Sequence, residues 1–417
     1  MNHEILKRVI FDQHELIKSI QIVDRDIELE KDANYVLVGI RRAGKSTLMY
    51  KRVKDLIATG VKWEQIIYIN FDDERLLGFK MSDFDDILLT AEELTREKHY
   101  FYFDEIQNID GWERFARRIA DQKMKVDITG SNAKMLSSEI GEKLGGRYIP
   151  KEIMPYSFKE FLRAKGIEKD EFYSIKEIGI INVLLDEFLN NGGFPECIQY
   201  KNKKEYISSI YQKILLGDII THNKIRKDNE IKLLVKKVVE TTCQDVSYSK
   251  LQNMLTGIGY KISKEIIIDY CNYCKESFLM FSLSNYYASF VDKESNPKFY
   301  LMDNGIMTLF GDERPTALLE NIVALFLYRK NKEHLYYLKS EINEVDFYLS
   351  DEKIAIQACY SIDEESTYKR EVKALVNFAK KANEPQKLII VTHNEEKVIQ
   401  EDGFKIEVIP LRKFLLA

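Results

Sequence analysis

The sequence lacks the features that mark membrane-spanning or exported proteins. Its 417 residues contain no run of about 18 or more apolar residues, the length at which a membrane-spanning helix is expected. The first residues, 1–4, do not begin an apolar core of the signal-peptide type. The five cysteines form no paired framework, which is typical of proteins from reducing compartments. We therefore expect a soluble, cytoplasmic protein that does not contact a membrane.

The sequence also has no strong excess of one charge. Its formal net charge is −5, with 31% charged and 45% apolar residues, which is an ordinary globular composition. This balance argues against a generally basic coat for nucleic acid but allows a local basic patch. Because 417 residues exceed what one hydrophobic core usually serves, we expect about two or three domains.

A short apolar strand leads directly into a glycine-rich loop near the amino terminus. Gly39 and Gly44 bracket four residues, and Lys45 and Ser46 follow, which is the G-x-x-x-x-G-K-[ST] pattern of a phosphate-binding loop. Such a loop points backbone N–H groups inward, its lysine reaches the β- and γ-phosphates, and its serine hydroxyl can bind Mg²⁺. The helix that follows adds the positive end of its dipole. The predicted nucleotide-binding residues are Gly39, Ile40, Arg41, Arg42, Ala43, Gly44, Lys45, Ser46 and Thr47.

Two carboxylates follow a second apolar stretch farther along the chain. Four bulky residues, 100–103, lead into Asp104 and Glu105. A carboxylate at a strand end beside the phosphate loop gives Mg²⁺ the contact it requires, so Asp104 is the predicted metal ligand together with Ser46. Glu105 is placed to orient and polarise the attacking water. In isolation the pair would fit a solvated acidic turn, but the phosphate loop upstream favours a catalytic site.

Two further residues are candidates for the catalytic site. Ser131 follows a predicted strand, residues 125–130, and its small polar side chain could contact the γ-phosphate or the attacking water. Arg147 follows two glycines and could stabilise phosphate in its own or a neighbouring subunit. A surface or helix-capping arginine explains the same position nearly as well.

Together these motifs resemble the bacterial and archaeal AAA-type ATPases in which a domain of unknown function follows the ATPase core. The resemblance rests on residues 39–46, 104–108 with Trp112, 129–131, 145–147 and 155–161, and it extends to residues 192–196 and 344–347. It implies ATP and Mg²⁺ as ligands and an α/β fold. The implied core is a P-loop NTPase with a five-stranded parallel sheet, in which another strand separates the acidic strand from the loop strand. A winged helix and an α/β restriction-endonuclease-like domain are implied after it, and the helical spacing of apolar residues from 155 to about 225 predicts a lid over the nucleotide.

We accordingly divide the chain into four predicted parts. These are an ATPase core (1–154), a helical lid (155–228), a winged helix-turn-helix (229–295) and a PD-(D/E)xK nuclease-like domain (296–417). The third part is expected to contain three helices and a hairpin with strands at residues 278–283 and 286–291. Gly192 and Gly193 in the lid fit a tight turn or, alternatively, a hinge.

A cluster of basic residues lies at the start of the predicted winged helix. It fits either a solvated face or a contact with nucleic acid. Glu265 and Asp269 on the third helix weaken the second interpretation, because acidic side chains repel phosphate. The cluster comprises Lys224, Arg226, Lys227, Lys232, Lys236 and Lys237.

The nuclease-like part departs from the pattern that a nuclease requires. In PD-(D/E)xK enzymes an Asp on one strand and a Glu-x-Lys on the next bind metal and water, and Asp346 matches the first element. Gln357 and Cys359 stand where the second is needed, and neither an amide nor a thiol replaces those charges. Glu320 and Glu344 are nearby acids that we expect to be solvated. We predict an inactive nuclease scaffold that recognises a partner.

Functions of different classes fit this sequence. One is an ATPase whose hydrolysis moves the lid and the carboxy-terminal parts against the core. Another is a nucleotide-gated DNA- or protein-binding scaffold with negligible hydrolysis, and an ATP-regulated nuclease is a third. The first is favoured because a scaffold has no need of a water-activating carboxylate such as Glu105. DNA, through the winged helix, and an unidentified protein are candidate partners, and the oligomeric state stays open.

Overall fold

The structure, a computed structural model, describes residues 1–136, 138–168, 173–311, 313–341, 343–382 and 386–417. The chain folds into two compact units. The first comprises residues 1–154 and 276–278, and the second comprises residues 155–275 and 279–417. Each unit is described separately below.

The first unit is built on a parallel sheet of five strands. They are β1 (Tyr35–Val38), β2 (Ile66–Asn70), β3 (Tyr100–Asp104), β4 (Lys125–Gly130) and β5 (Ile149–Glu152). Their order is β2-β3-β4-β1-β5, so β4 separates the acidic strand β3 from the loop strand β1. Strands β1 to β4 are almost entirely buried, as expected when helices cover both faces of a parallel sheet. The predicted P-loop NTPase core is confirmed.

Five α-helices accompany this sheet in the described part of the first unit. They are α1 (His3–Ser19), α2 (Lys45–Ala58), α3 (Phe84–Leu94), α4 (Trp112–Asp121) and α5 (Ser138–Leu144). Helix α1 begins where the side chain of Asn2 accepts a 2.8 Å hydrogen bond from the backbone N–H of Glu4. Its buried face, which includes Leu6, Val9 and Ile10, packs on β2 and α3. The amino-terminal helix is therefore an integral part of this core.

The second unit begins with a long helical region. Its elements are α6 (Phe158–Ala164), α7 (Ile175–Asn191), α8 (Lys203–Lys213), a π-helical segment (Ile214–Thr221), α9 (Asp228–Glu240), α10 (Tyr248–Gly257) and α11 (Lys264–Glu276). Ser157 and Glu160 form a capping box at the start of α6, which satisfies two backbone N–H groups of its first turn. The helical character expected for residues 155–228, and the three helices expected after them, are present.

The hairpin after these helices differs from the predicted one. Strand β6 (Met280–Leu283) pairs antiparallel with β7 (Lys298–Leu301), and helix α12 (Phe290–Ser295) lies between them. The prediction of a second strand at residues 286–291 was wrong. The N–H of Tyr286 donates instead to the carbonyl of Tyr337 at 2.9 Å, and Ser289 then caps α12. The predicted boundary after residue 295 therefore passes between the two strands of one hairpin.

The rest of the second unit surrounds a mixed sheet of six strands. Its elements are α13 (Asn304–Leu309), α14 (Pro315–Asn331), β8 (Leu335–Ser340), β9 (Asn343–Leu349), β10 (Ile354–Ala358), α15 (Glu365–Lys381), β11 (Lys387–Thr392), β12 (Lys397–Glu401), β13 (Phe404–Pro410) and α16 (Leu411–Leu416). The strand order is β12-β13-β11-β10-β9-β8. Val345, Leu375 and Ile390 belong to an apolar core between this sheet and α15. Within the ranges that the structure describes, no helix has the length and apolar character needed to cross a membrane.

Candidate nucleotide site

The phosphate loop connects the end of β1 to the start of α2. Gly39 and Gly44 adopt backbone φ angles of 149° and 95°, which residues with a side chain rarely adopt. A Cβ atom on Gly39 would also lie 2.0 Å from the carbonyl oxygen of Ile153, just after β5. The backbone conformation thus favours glycine at both positions, and the close approach to Ile153 leaves no room for a side chain at Gly39.

Lys45 is the first residue of α2 and is only 4% exposed. Its Nζ atom donates hydrogen bonds to the carbonyl oxygens of Gly39 at 2.9 Å and Ile40 at 3.2 Å. These bonds hold the ammonium inside the curve of the loop. The amino terminus of α2 lies beside it and contributes a partial positive charge. The loop therefore presents a full and a partial positive charge, an arrangement that suits phosphate.

Asp104 ends β3 and is 2% exposed. Its carboxylate accepts hydrogen bonds from the Tyr68 hydroxyl at 2.9 Å and from the Thr129 hydroxyl. Burial raises the pKa of Asp104 and the charge of Glu105 adds to this, while the hydroxyl groups of Thr129, Ser46 and Tyr68 oppose the shift. The two predicted metal ligands, Ser46 and Asp104, thus lie near each other. A hydroxyl and a carboxylate oxygen fit the coordination that Mg²⁺ prefers.

Glu105 adopts a left-handed backbone conformation with φ of 53° directly after β3. Its N–H donates to the hydroxyl of Thr129 at 3.0 Å, and its carboxylate accepts from Nε2 of Gln107 at 2.6 Å. Non-glycine residues in this conformation cost of order 1 kcal/mol and persist where neighbouring contacts hold them. The side chain of Glu105 is therefore held in a defined direction next to Asp104.

The two remaining candidates lie in different places. Ser131 directly follows β4, the strand between the acidic strand and the loop strand, and it is buried. Arg147 lies two residues before β5, whose first residue, Ile149, pairs with Tyr35 at the start of β1. It is thus separated from the phosphate loop by roughly the length of β1, about 13 Å. The structure brings Ser131 to the nucleotide edge of the sheet but does not bring Arg147 to the loop of its own chain.

Arg147 has a local partner instead. Its Nε donates to Asp121, the last residue of α4, at 2.7 Å, and its side chain is 53% exposed. Such a partly exposed ion pair contributes little to stability. An action of Arg147 in a neighbouring subunit remains a prediction.

Three positioning residues of this site escaped the sequence analysis. Thr129 bridges Asp104 and Glu105, Tyr68 in the neighbouring strand β2 binds Asp104, and Gln107 binds Glu105. In the sequence, Thr129 and Tyr68 appear as hydroxyl-bearing residues near the ends of otherwise apolar strands. The strand order was needed to show that both bind Asp104. Arg41 of the loop lies 3.6 Å from Asp72, which follows β2.

The Gly192–Gly193 motif surrounds a buried carboxylate in the second unit. The N–H of Gly193 donates to Asp303 at 2.7 Å, and a Cβ atom on Gly192, where φ is 72°, would lie 1.8 Å from the same carboxylate. The N–H of Gly305 also donates to Asp303 at 2.8 Å. Burial raises the pKa of Asp303 to about 7, although both backbone hydrogen bonds oppose the shift. Both glycines are therefore needed for close packing, which accounts for the motif without a hinge.

The basic cluster is partly neutralised by its own helix. Lys227, Lys232 and Lys237 pair with Glu230, Asp228 and Glu240 at 2.9, 2.5 and 2.6 Å. Each paired lysine offers less charge to phosphate than a free one. This arrangement favours the solvated-face interpretation over nucleic-acid contact.

Comparison with known proteins agrees with the phosphate loop and the acidic strand. Residues 31–162 match the family model described as an AAA domain, and residues 182–315 match a domain of unknown function, DUF8612. The uncharacterized protein MJ1544 of Methanocaldococcus jannaschii is 34% identical, and the alignment covers 99% of this chain and 95% of that protein. An uncharacterized protein of Haemophilus influenzae is 29% identical over 93% of this chain and 95% of its own length. The chain belongs to the family of the M. jannaschii protein, which is an AAA-type ATPase family.

Two solved structures share features with the chain at low similarity. The Walker-type ATPase PABY2304 of Pyrococcus abyssi has a TM-score of 0.44 and 13% identity, with coverage of 71% of this chain and 99% of that chain. The Aeropyrum pernix Orc1 protein in complex with DNA has a TM-score of 0.31 and 10% identity, with coverage of 74% and 92%.

Proposed function

We propose that the chain is a Mg²⁺-dependent ATPase whose nucleotide state is coupled to movement of its carboxy-terminal recognition domains. The observation that carries the proposal is the Thr129 hydroxyl, which bridges Asp104 and Glu105 while Ser46 lies near Asp104. A protein that only bound nucleotide would need Lys45 and a metal-binding acid. It would not need a second carboxylate held in a fixed direction.

Each residue of the site has a role that follows from its place. Lys45 and the N–H groups of the loop bind the phosphates, and Ser46 and Asp104 would hold Mg²⁺, which neutralises phosphate charge when bound. Glu105 accepts a hydrogen bond from the attacking water and orients it. Ser131, at the end of β4, is the proposed contact to the γ-phosphate.

Steady-state ATP turnover tests this proposal. The wild-type protein should hydrolyse ATP only with Mg²⁺ present, and the Glu105→Gln protein should bind ATP without turning it over. The matched control is Glu113→Gln, which removes a carboxylate from the first turn of α4 but leaves the loop and β3 unchanged. Absence of Mg²⁺-dependent turnover in the wild-type protein would refute the ATPase and leave the nucleotide-gated scaffold as the better description, whereas equal turnover in both proteins would refute the role of Glu105.

DNA and protein remain the two candidate partners of the carboxy-terminal unit. The ion pairs within α9 weaken the case for DNA through the basic cluster, so we place an unidentified protein first. The test is ATP turnover with and without double-stranded DNA at low and high salt. Stimulation that disappears with added salt would establish DNA as the partner, because phosphate contacts release counterions.

A further inference from the structure

A buried lysine lies among three carboxylates that border an acidic cavity in the second unit. Lys298, on β7, is 1% exposed. Its Nζ atom lies 2.9 Å from Glu320 of α14, 3.1 Å from Asp346 of β9 and 3.3 Å from Glu344 of β9. Three carboxylates from two elements therefore converge on one ammonium, which comes from the hairpin rather than from the six-stranded sheet.

The carboxylate of Asp346 and the neighbouring side-chain amide of Gln357 both bind other groups of the protein. One carboxylate oxygen contacts Lys298, and the other accepts from the N–H of Ala358 at 3.0 Å. The side chain of Gln357 accepts from the N–H of Asp346 at 2.8 Å and donates to the carbonyl of Glu344 at 3.2 Å. Both ends of the Gln357 amide thus bind the backbone of β9.

The carboxylates have lysine partners without a metal. Burial opposes the charge of Lys298, but the three carboxylates outweigh this and raise its pKa. Burial raises the pKa of Glu320 to about 8, with the charge of Asp346 adding to the effect and Lys298 opposing it. Lys339 lies 3.2 Å from the second oxygen of Glu344. Two lysine side chains, Lys298 and Lys339, therefore supply the positive charge that faces these acidic side chains.

The residues present do not fit the divalent metal that a PD-(D/E)xK scaffold implies. Mg²⁺ bound by these carboxylates would need oxygens about 2.0–2.1 Å away around the point where the Lys298 nitrogen lies. An ammonium and a metal ion cannot share that point, and their charges repel. Among the residues that the structure describes, no group of three or more His, Cys, Asp or Glu side chains is arranged to hold a metal.

We propose that Lys298 is the built-in cation of this cavity and replaces the metal ion. Its ammonium joins the β6–β7 hairpin to β9 and α14 by charge-assisted hydrogen bonds, which are stronger than neutral ones. A cavity of about 560 Å³, lined by Glu320, Asp346 and Glu371, lies beside this cluster. Removal of the ammonium should expose a divalent-cation site that the wild-type protein does not have.

Binding of Mn²⁺ to the nucleotide-free, full-length protein tests this directly. Equilibrium dialysis should show the same Mn²⁺ stoichiometry for wild type and Asp346→Asn, because any background at the phosphate loop is common to both. The Lys298→Met protein should bind roughly one additional Mn²⁺ per chain, and its Tm should rise when Mn²⁺ is added. The additional ion should be lost in Lys298→Met/Asp346→Asn and absent in Lys298→Arg, which keeps the positive charge.

Two results would overturn the proposal. The first is Mn²⁺ binding by the wild-type protein that decreases in Asp346→Asn, since this would make Asp346 a metal ligand despite Lys298. The second is a folded Lys298→Met protein that gains no Mn²⁺. The comparison of wild type with Asp346→Asn does not depend on how well Lys298→Met folds, so it decides the question even if that variant is insoluble.

Discussion

Replacing Thr129 by valine should damage both acids of the nucleotide site at once. Valine has nearly the same shape as threonine, so the packing of β4 is kept while the hydroxyl is removed. The hydroxyl donates to Asp104 and accepts from the N–H of Glu105 at 3.0 Å, and the residue is fully buried. The variant thus leaves one buried carboxylate with a lost donor and one N–H without its acceptor.

The size of the effect follows from these two bonds. A hydrogen bond to a charged group contributes about 1.5–3 kcal/mol, and an unsatisfied N–H costs about 1–3 kcal/mol. We expect the free energy of unfolding of the first unit to fall by about 2–4 kcal/mol, allowing for partial rearrangement. Turnover should fall about 10- to 100-fold, because a positioned base contributes about 10²–10⁴-fold and only its positioning is disturbed. KM should change little, since Thr129 does not contact Lys45 or the loop.

The assay is steady-state ATP turnover together with thermal unfolding of Thr129→Val and Thr129→Ser. Serine keeps the hydroxyl and should restore most of the turnover while still losing one buried methyl group. Full turnover by the folded valine variant would refute the bridging role. Equal loss in both variants would show that the methyl group matters and the hydroxyl does not.

Four further outcomes are expected. Lys45→Ala should abolish ATP binding measured by calorimetry, because its ammonium lies inside the loop; unchanged affinity would contradict the site. Glu105→Gln should keep the affinity for ATP and lose turnover, and weaker binding would mean that Glu105 has another role. Arg147→Ala should leave the turnover of isolated chains unchanged. A loss of turnover that is the same at every protein concentration, and so independent of assembly, would contradict the placement of Arg147 away from the loop of its own chain. The raised pKa of Asp303 predicts that the native state binds a proton between about pH 4 and 7 that the unfolded state releases. Stability therefore falls as pH rises through this window, and Tm measured from pH 5 to 8 should have a shallower slope in Asp303→Asn.

The nucleotide site could be predicted from the sequence because its chemistry is concentrated in short motifs. Gly39 to Ser46 span one loop and the first residues of α2, and Asp104 and Glu105 lie at the end of one strand. Parallel strands bring their carboxyl ends to the same edge of a sheet, so the two motifs meet whatever the details of packing. The strand order, with β4 between β3 and β1, was available from the family resemblance and is confirmed.

Side-chain contacts between neighbouring strands could not be predicted from these motifs. Thr129 and Tyr68 bind Asp104 because β4 and β2 flank β3, and only the order and register of the sheet reveal this. The second strand of the hairpin was predicted wrongly for a related reason. Alternation of apolar and polar residues identifies strands but not partners, and Asn285 and Tyr286 pair with Tyr337 of β8 rather than with β6.

Lys298 shows why the second unit was harder to interpret than the first. The nuclease pattern requires a lysine two residues after position 357, and the sequence has Cys359 there, which predicted an inactive scaffold. The structure supplies a lysine to the same carboxylates from β7, 48 residues before Asp346 and on the hairpin. A linear motif cannot record such a substitution, because the position is equivalent in space and not in sequence. The prediction that the nuclease-like part cleaves nothing with a metal therefore has a second physical reason, besides the missing ligands. The acids that we expected to be solvated, Glu320 and Glu344, bind an internal cation, and Asp346 cannot serve a metal while Lys298 holds it.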